Sequence, residues 1–181
     1  MIDSLTMIGS RINREKITWA VGGSLLLCFH GLIEDPNDID LLVDEKDATR
    51  LNQLLAAFGT EKVAISKDPF RTRYFSKFAI NHADYDIMGG FAIEHKEGVY
   101  KFSFTEESVV ESKTVNGIDI PLCALEDWYI LYSLIPGKEE KATLLENHFI
   151  TTGIKNSNLL ANALDQPLPS EVKDRVVKLL S

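Results

Sequence analysis

The chain has 181 residues, 45% of them hydrophobic and 25% charged, which is enough apolar material for one globular unit with a subsidiary lobe. A formal net charge of -8 excludes a broad basic surface for a nucleic-acid backbone and favours a small acceptor or a protein partner. No paired cysteine spacing and no histidine ligand spacing occurs: Cys28 and Cys123 read as buried thiols, and His30, His82, His95 and His148 are scattered.

From Met1 to Arg14 the residues Ile2, Leu5, Met7, Ile8 and Ile12 alternate with Asp3, Arg11 and Arg14, which predicts a short amphipathic helix. It lacks the apolar core and small-residue cleavage site of a signal peptide. The longest apolar run, Ala20 to Ile33, is too short to span a bilayer, so a cytoplasmic protein without membrane attachment is expected. Ile17 to Val21 is β-prone and leads into Gly22-Gly23, where the chain can turn tightly and open its backbone N–H groups to a ligand. Ser24 then begins the apolar run Leu25 to Phe29, read as a buried helix. Strand, glycine turn and helix start together favour phosphate.

Asp38 and Asp40 stand two apart at the head of Leu41-Leu42-Val43, so an extended strand places both carboxylates on one face. Carboxylates this close repel unless a cation lies between them, and Mg²⁺ prefers oxygen ligands and substrate phosphates. Glu45 to Phe58 has helical spacing with Gly59 as its stop, Lys62 to Ile65 is a short strand candidate, and Arg71 to Ile80 is another. On that strand Arg71, Arg73 and Lys77 share a face, either to meet a triphosphate or acceptor or simply to face solvent. Asp84-Tyr85-Asp86 repeats the alternation of Asp38 and Asp40, and Gly89-Gly90 reads as a bulge or turn. Val99 to Phe104 is a strand, and Val109 to Val115 with Ile118 to Pro121 forms a hairpin closed by Asn116-Gly117.

Leu125 to Leu134 is a broadly apolar helix ended by Pro136-Gly137, Glu139 to Ile150 is a second, and two short amphipathic helices flank Gln166 to Pro169. Ser170 is read as the N-cap of the last. The expected fold is α+β, a mixed β-sheet core with flanking helices over residues 1–122 and a C-terminal helical region, 123–181, packing on it.

Gly-Gly-Ser, then Asp-x-Asp on a second strand, then a separate Asp on a later strand, resembles the nucleotidyltransferase superfamily typified by DNA polymerase beta. Within it the pattern is similar to the small bacterial enzymes that adenylylate aminoglycosides and lincosamides, and to toxin-type relatives. The likeness is specific over Trp19 to Val43 and weaker to about Phe149. The third acidic position is open between Asp84 and Asp86, with Asp86 preferred because Ile87-Met88 mirrors Leu41-Leu42.

The resemblance implies transfer of a nucleoside monophosphate from a triphosphate, ATP first among them, to an acceptor hydroxyl. Asp38, Asp40 and Asp86 would be catalytic and hold Mg²⁺. Gly22, Gly23 and Ser24 would hold phosphates, and Lys138 and Lys141 fall where a helix could reach them. The favoured partners are a nucleoside triphosphate and a small-molecule acceptor. A tRNA or protein acceptor, a non-catalytic nucleotide-binding module and a homodimer stay open as alternatives.

Overall fold

The computed structural model describes residues 1–181, which divide into two compact units. The first comprises residues 1–66, 72–91 and 103–123; the second comprises 67–71, 92–102 and 124–181.

In the first unit, helix α1 (Ile2–Arg14) leads into strand β1 (Trp19–Val21), helix α2 (Gly23–Phe29) and strand β2 (Ile39–Val43). Helix α3 (Ala48–Ala56) follows, and then β3 (Thr60–Lys62), β4 (Tyr74–Ile80) and β5 (Ala83–Gly89). One seven-stranded sheet is completed by β8 (Val109–Val115) and β9 (Ile118–Cys123), in the order β3-β4-β5-β2-β1-β9-β8; the intervening strands β6 (Phe91–His95) and β7 (Gly98–Phe102) form a separate pair. It is mixed: β2 runs parallel to β5 and β1 parallel to β9, while the other neighbours are antiparallel.

Alternation along the strands decides which side is buried. Ile39, Leu41 and Val43 of β2 are buried, as are Phe78 and Ile80 of β4 and Tyr85 and Ile87 of β5. Leu5, Ile8 and Ile12 of α1 are fully buried in the same core. Removing such side chains from water is worth about 1.5–3 kcal/mol each. The helix is also tied polarly: Ser4 Oγ donates to the Ile80 carbonyl at 3.0 Å and accepts from Tyr85 at 2.7 Å, and Trp19 Nε1 donates to Asn13 Oδ1 at 2.9 Å.

Two hairpins use the same turn chemistry. Asn116 (φ 49°) and Gly117 (φ 76°) join β8 to β9, and Asn81 (φ 49°) and His82 (φ 60°) join β4 to β5. Two consecutive residues with positive φ form the turn whose twist suits paired strands, and Asn tolerates it better than most residues.

The second unit contains most of the β6–β7 pair and helices α4 (Leu125–Leu134), α5 (Glu139–Thr152), α6 (Ser157–Ala163) and α7 (Ser170–Leu180). Helix α4 is buried almost all round. Its Glu126, 3% exposed, accepts from the N–H groups of Lys155 and Asn156 at 3.1 and 2.8 Å and from Asn156 Nδ2 at 3.2 Å. The carboxylate thus holds the chain entering α6. Arg175 of α7 pairs with Glu146 of α5 and lies over the Tyr129 ring, 5.6 Å from its centroid. No helix is long and apolar enough to cross a membrane.

Several boundaries differ from those expected. The strand expected over Lys62 to Ile65 lies earlier, at Thr60–Lys62, because only those residues pair with β4; Val63 and Ile65 are exposed. The strand expected from Arg71 begins at Tyr74. Arg71 lies in the second unit, paired with Asp68 and Glu94, whereas Arg73 pairs with Glu45 at 2.9 Å, so the three cations share no strand face. Ser170 is the first helical residue of α7, and Pro169 occupies the capping position. Proline suits a helix entrance because its fixed φ and missing N–H cost nothing there.

Candidate active site

Two neighbouring strands of the first unit, β2 and β5, bring the acidic residues together, and β4 sets a lysine beside them. Asp40 is the register partner of Asp86 across the parallel β2–β5 pair, and Lys77 is the partner of Asp86 across the antiparallel β4–β5 pair. Asp38 precedes β2 by one residue. One carboxylate oxygen from each of Asp38, Asp40 and Asp86 lies within 4.8 Å of the others, and all three residues are half-buried. Side chains two apart on adjacent strands cannot converge this way unless the strands are in this register.

Asp84, the alternative third carboxylate, stands apart. It is the register partner of Ala79, is 63% exposed and binds Lys62 Nζ at 2.5 Å. That ion pair holds its carboxyl below the ordinary carboxylate range. Asp86 behaves oppositely: burial pushes its pKa up, the contact with Lys77 pulls it down, and the charges of Asp38 and Asp84 push it up again.

The glycine turn lies against the same cluster. Gly22 N–H donates to the Asp40 carbonyl at 2.9 Å, fixing the entrance of α2 to β2. Gly23 has φ +60°, and a Cβ built there would stand 1.7 Å from Asp40 Oδ2. Only glycine allows both the backbone turn and the close approach of that carboxylate. Ser24 is 3% exposed, and its Oγ accepts from the Asn37 N–H at 3.0 Å. The serine therefore ties the segment leading into Asp38 to the start of α2 and keeps its hydroxyl proton to donate elsewhere.

Lys138 and Lys141 belong to the second unit. Lys138 precedes α5 as its capping residue, and Lys141 Nζ lies over the Tyr132 ring, 5.3 Å from its centroid. His82 is exposed at a hairpin turn.

The donor set suits a hard divalent cation. Carboxylate oxygens are the preferred ligands of Mg²⁺, with metal–oxygen distances of about 2.1 Å, and opposite ligands of one ion stand roughly 4.2 Å apart. The observed grouping within 4.8 Å is close to that span. Lys77, 3.0 Å from Asp86, is a partner of the acidic cluster; the sequence marks it as one of three cations on a strand face, without naming Asp86 as its neighbour. Its sequence signal is only the alternation of β4, which cannot specify a cross-strand neighbour.

A family model for aminoglycoside-2''-adenylyltransferase matches residues 4–148, from α1 to the body of α5. The chain belongs to the aminoglycoside-2''-adenylyltransferase family. It is a nucleotidyltransferase, and the sheet described above is the α+β core of that superfamily. No curated protein matches the chain significantly. Among solved structures, a candidate nucleotidyltransferase from Thermotoga maritima is 26% identical with a TM-score of 0.63, covering 81% of this chain and 91% of that one. The antibiotic adenylyltransferase ANT(2")-Ia, solved in complex with adenylyl-2"-tobramycin, is 13% identical with a TM-score of 0.55 over 98% of this chain and 95% of that one. The lincosamide adenylyltransferase LnuA, lincomycin-bound, is 17% identical with a TM-score of 0.53 over 81% and 96%. The last two share the fold with this adenylyltransferase-family chain.

Proposed function

We propose that the protein transfers a nucleoside monophosphate, AMP first, from a triphosphate to a hydroxyl of a small-molecule acceptor, with Mg²⁺ at Asp38, Asp40 and Asp86. The observation that carries this reading is the convergence of those three carboxylates beside the Gly22-Gly23 turn, in a chain of the adenylyltransferase family. Relatives whose structures contain adenylyl-tobramycin and lincomycin support an antibiotic-like, hydroxyl-bearing acceptor.

In the reaction, the acceptor oxygen bonds to the α-phosphorus as the bond from that phosphorus to the oxygen bridging the β-phosphate breaks, and pyrophosphate leaves. The hydroxyl proton passes to the Asp86 carboxylate and on to solvent, a role suited to a partly buried carboxylate whose pKa is raised. A divalent cation, when bound, neutralises the charge developing on the attacking and leaving oxygens. Asp38 and Asp40 would hold the cation, and the Gly23 amide with the Ser24 hydroxyl would take the β- and γ-phosphates; the Gly22 N–H, expected to join them, is already donated to the Asp40 carbonyl.

The test is incubation with each nucleoside triphosphate, Mg²⁺, and either a panel of aminoglycosides and lincosamides or a cell extract, followed by mass analysis. The expected product is an acceptor heavier by one nucleoside monophosphate, formed by the wild type and not by Asp40→Asn. Equal product from Asp40→Asn refutes the metal assignment, and modified tRNA or protein in the extract refutes the small acceptor.

A further inference from the structure

The acidic cluster is not purely acidic. Register partners run across four adjacent strands as Asp40, Asp86, Lys77 and Lys62, so one row of the sheet passes from two carboxylates to two ammonium groups. The outer lysine turns to the exposed Asp84. The inner one turns into the cluster, where Lys77 Nζ lies 3.0 Å from Asp86 Oδ1. Asp86 is 18% exposed and Lys77 39%, so this contact is considerably better shielded from solvent than the Asp84 pair.

We propose, building on the metal-dependent transfer proposed above, that Lys77 is the built-in counter-cation of the site: a positioning residue that holds Asp86 and competes with the divalent cation for it. Three carboxylates and one ammonium leave a formal charge of -2, which a single divalent ion cancels. The nucleotide-free protein therefore takes one ion, at the Asp38 and Asp40 side, while Asp86 stays with Lys77. A triphosphate brings the further negative charge that admits additional positive charge, and Asp86 is kept oriented for the acceptor hydroxyl until then. The arrangement works because charge repulsion between neighbouring cations in a half-buried site is only partly screened.

The inference separates metal affinity from turnover. Lys77→Met keeps the length of the stem and removes the charge. In calorimetric titration of the nucleotide-free protein with Mg²⁺ or Mn²⁺, this variant binds the ion roughly tenfold more tightly than the wild type. Its kcat falls by about tenfold or more while its KM for the triphosphate moves less than about threefold, since Asp86 loses its positioning partner and the phosphate contacts are untouched. Lys77→Arg, which retains the charge, binds the ion as the wild type does. A lysine serving only the stability of the strand would leave metal affinity unchanged in both variants. If wild type binds the ion, Asp40→Asn does not, and a folded Lys77→Met binds it no more tightly than wild type, the counter-cation role falls and the metal reading stands. If wild type itself binds no ion, both fall. Should Lys77→Met fail to fold, Lys77→Gln takes its place in the titration: tighter binding than wild type supports the counter-cation role, and unchanged binding overturns it.

Discussion

Asp40 Oδ2 occupies the space that a side chain at position 23 would need: a Cβ on Gly23 would stand 1.7 Å from it. The turn and the carboxylate are therefore two parts of one object. The glycine gives the backbone a positive φ and makes room for the acid, and the acid's own carbonyl receives the N–H of Gly22. Gly23→Ala is expected to displace Asp40, to cost about 2 kcal/mol or more of stability through backbone strain and the clash, and to remove divalent-ion binding. Calorimetric titration and chemical denaturation check both; an alanine variant that binds the ion normally would show that the contact is not constraining.

Asp84 and Asp86 have the same chemistry two residues apart, and they should differ sharply in consequence. Asp86→Asn keeps the shape and removes the charge inside the cluster, so turnover should fall by roughly a thousandfold. Asp84→Asn removes one exposed ion pair with Lys62, and turnover should stay within about threefold. Steady-state kinetics of the two variants decide it, and the reverse ranking would move the third carboxylate to Asp84.

Glu126 stabilises the second unit by a different route. Buried and accepting three hydrogen bonds, two of them from backbone N–H groups at the entrance of α6, it leaves those donors orphaned if removed. Glu126→Ala should cost about 3 kcal/mol, measured as a lower urea midpoint, whereas Glu126→Gln keeps an acceptor oxygen and should lose less. Equal losses would point to charge and not to hydrogen bonding.

Asp127, next along α4, makes stability depend on pH. Burial, with a smaller contribution from the negative charge of Glu126, pushes its pKa from 3.8 to about 7. The folded chain thus holds a proton that the unfolded chain has released, and this contribution to stability is complete below pH 3.8 and lost as pH rises to about 7. The loss across the window is on the order of a few kcal/mol. Asp127→Asn cannot ionise, so it should melt at a higher temperature than wild type at pH 8, with the gap closing towards pH 5. Melting curves that stay parallel across that range would remove Asp127 as the source.

The local chemistry of the site is written in short stretches. Gly22-Gly23-Ser24, the Asp38 and Asp40 pair, and the Asn116-Gly117 turn each depend on backbone geometry that a few neighbouring residues determine; the two turns stand where the sequence places them, and the two carboxylates group together although Asp38 falls just before the strand expected to carry both. The mixed α+β character follows from the same periodicities. Three things required the folded chain. Asp86 joins the cluster and Asp84 does not, because β5 meets β2 in one register and β3 brings Lys62 to Asp84. Lys77 reaches Asp86 because β4 pairs antiparallel with β5, while Arg71 and Arg73 lie before the strand and find carboxylates of their own. Ser24 receives the Asn37 N–H, a contact thirteen residues away along the chain. A two-residue period says which side chains share a face of one strand; only the hydrogen-bonded register says which residues on separate strands stand side by side, and the electrostatics of this site are made by those neighbours.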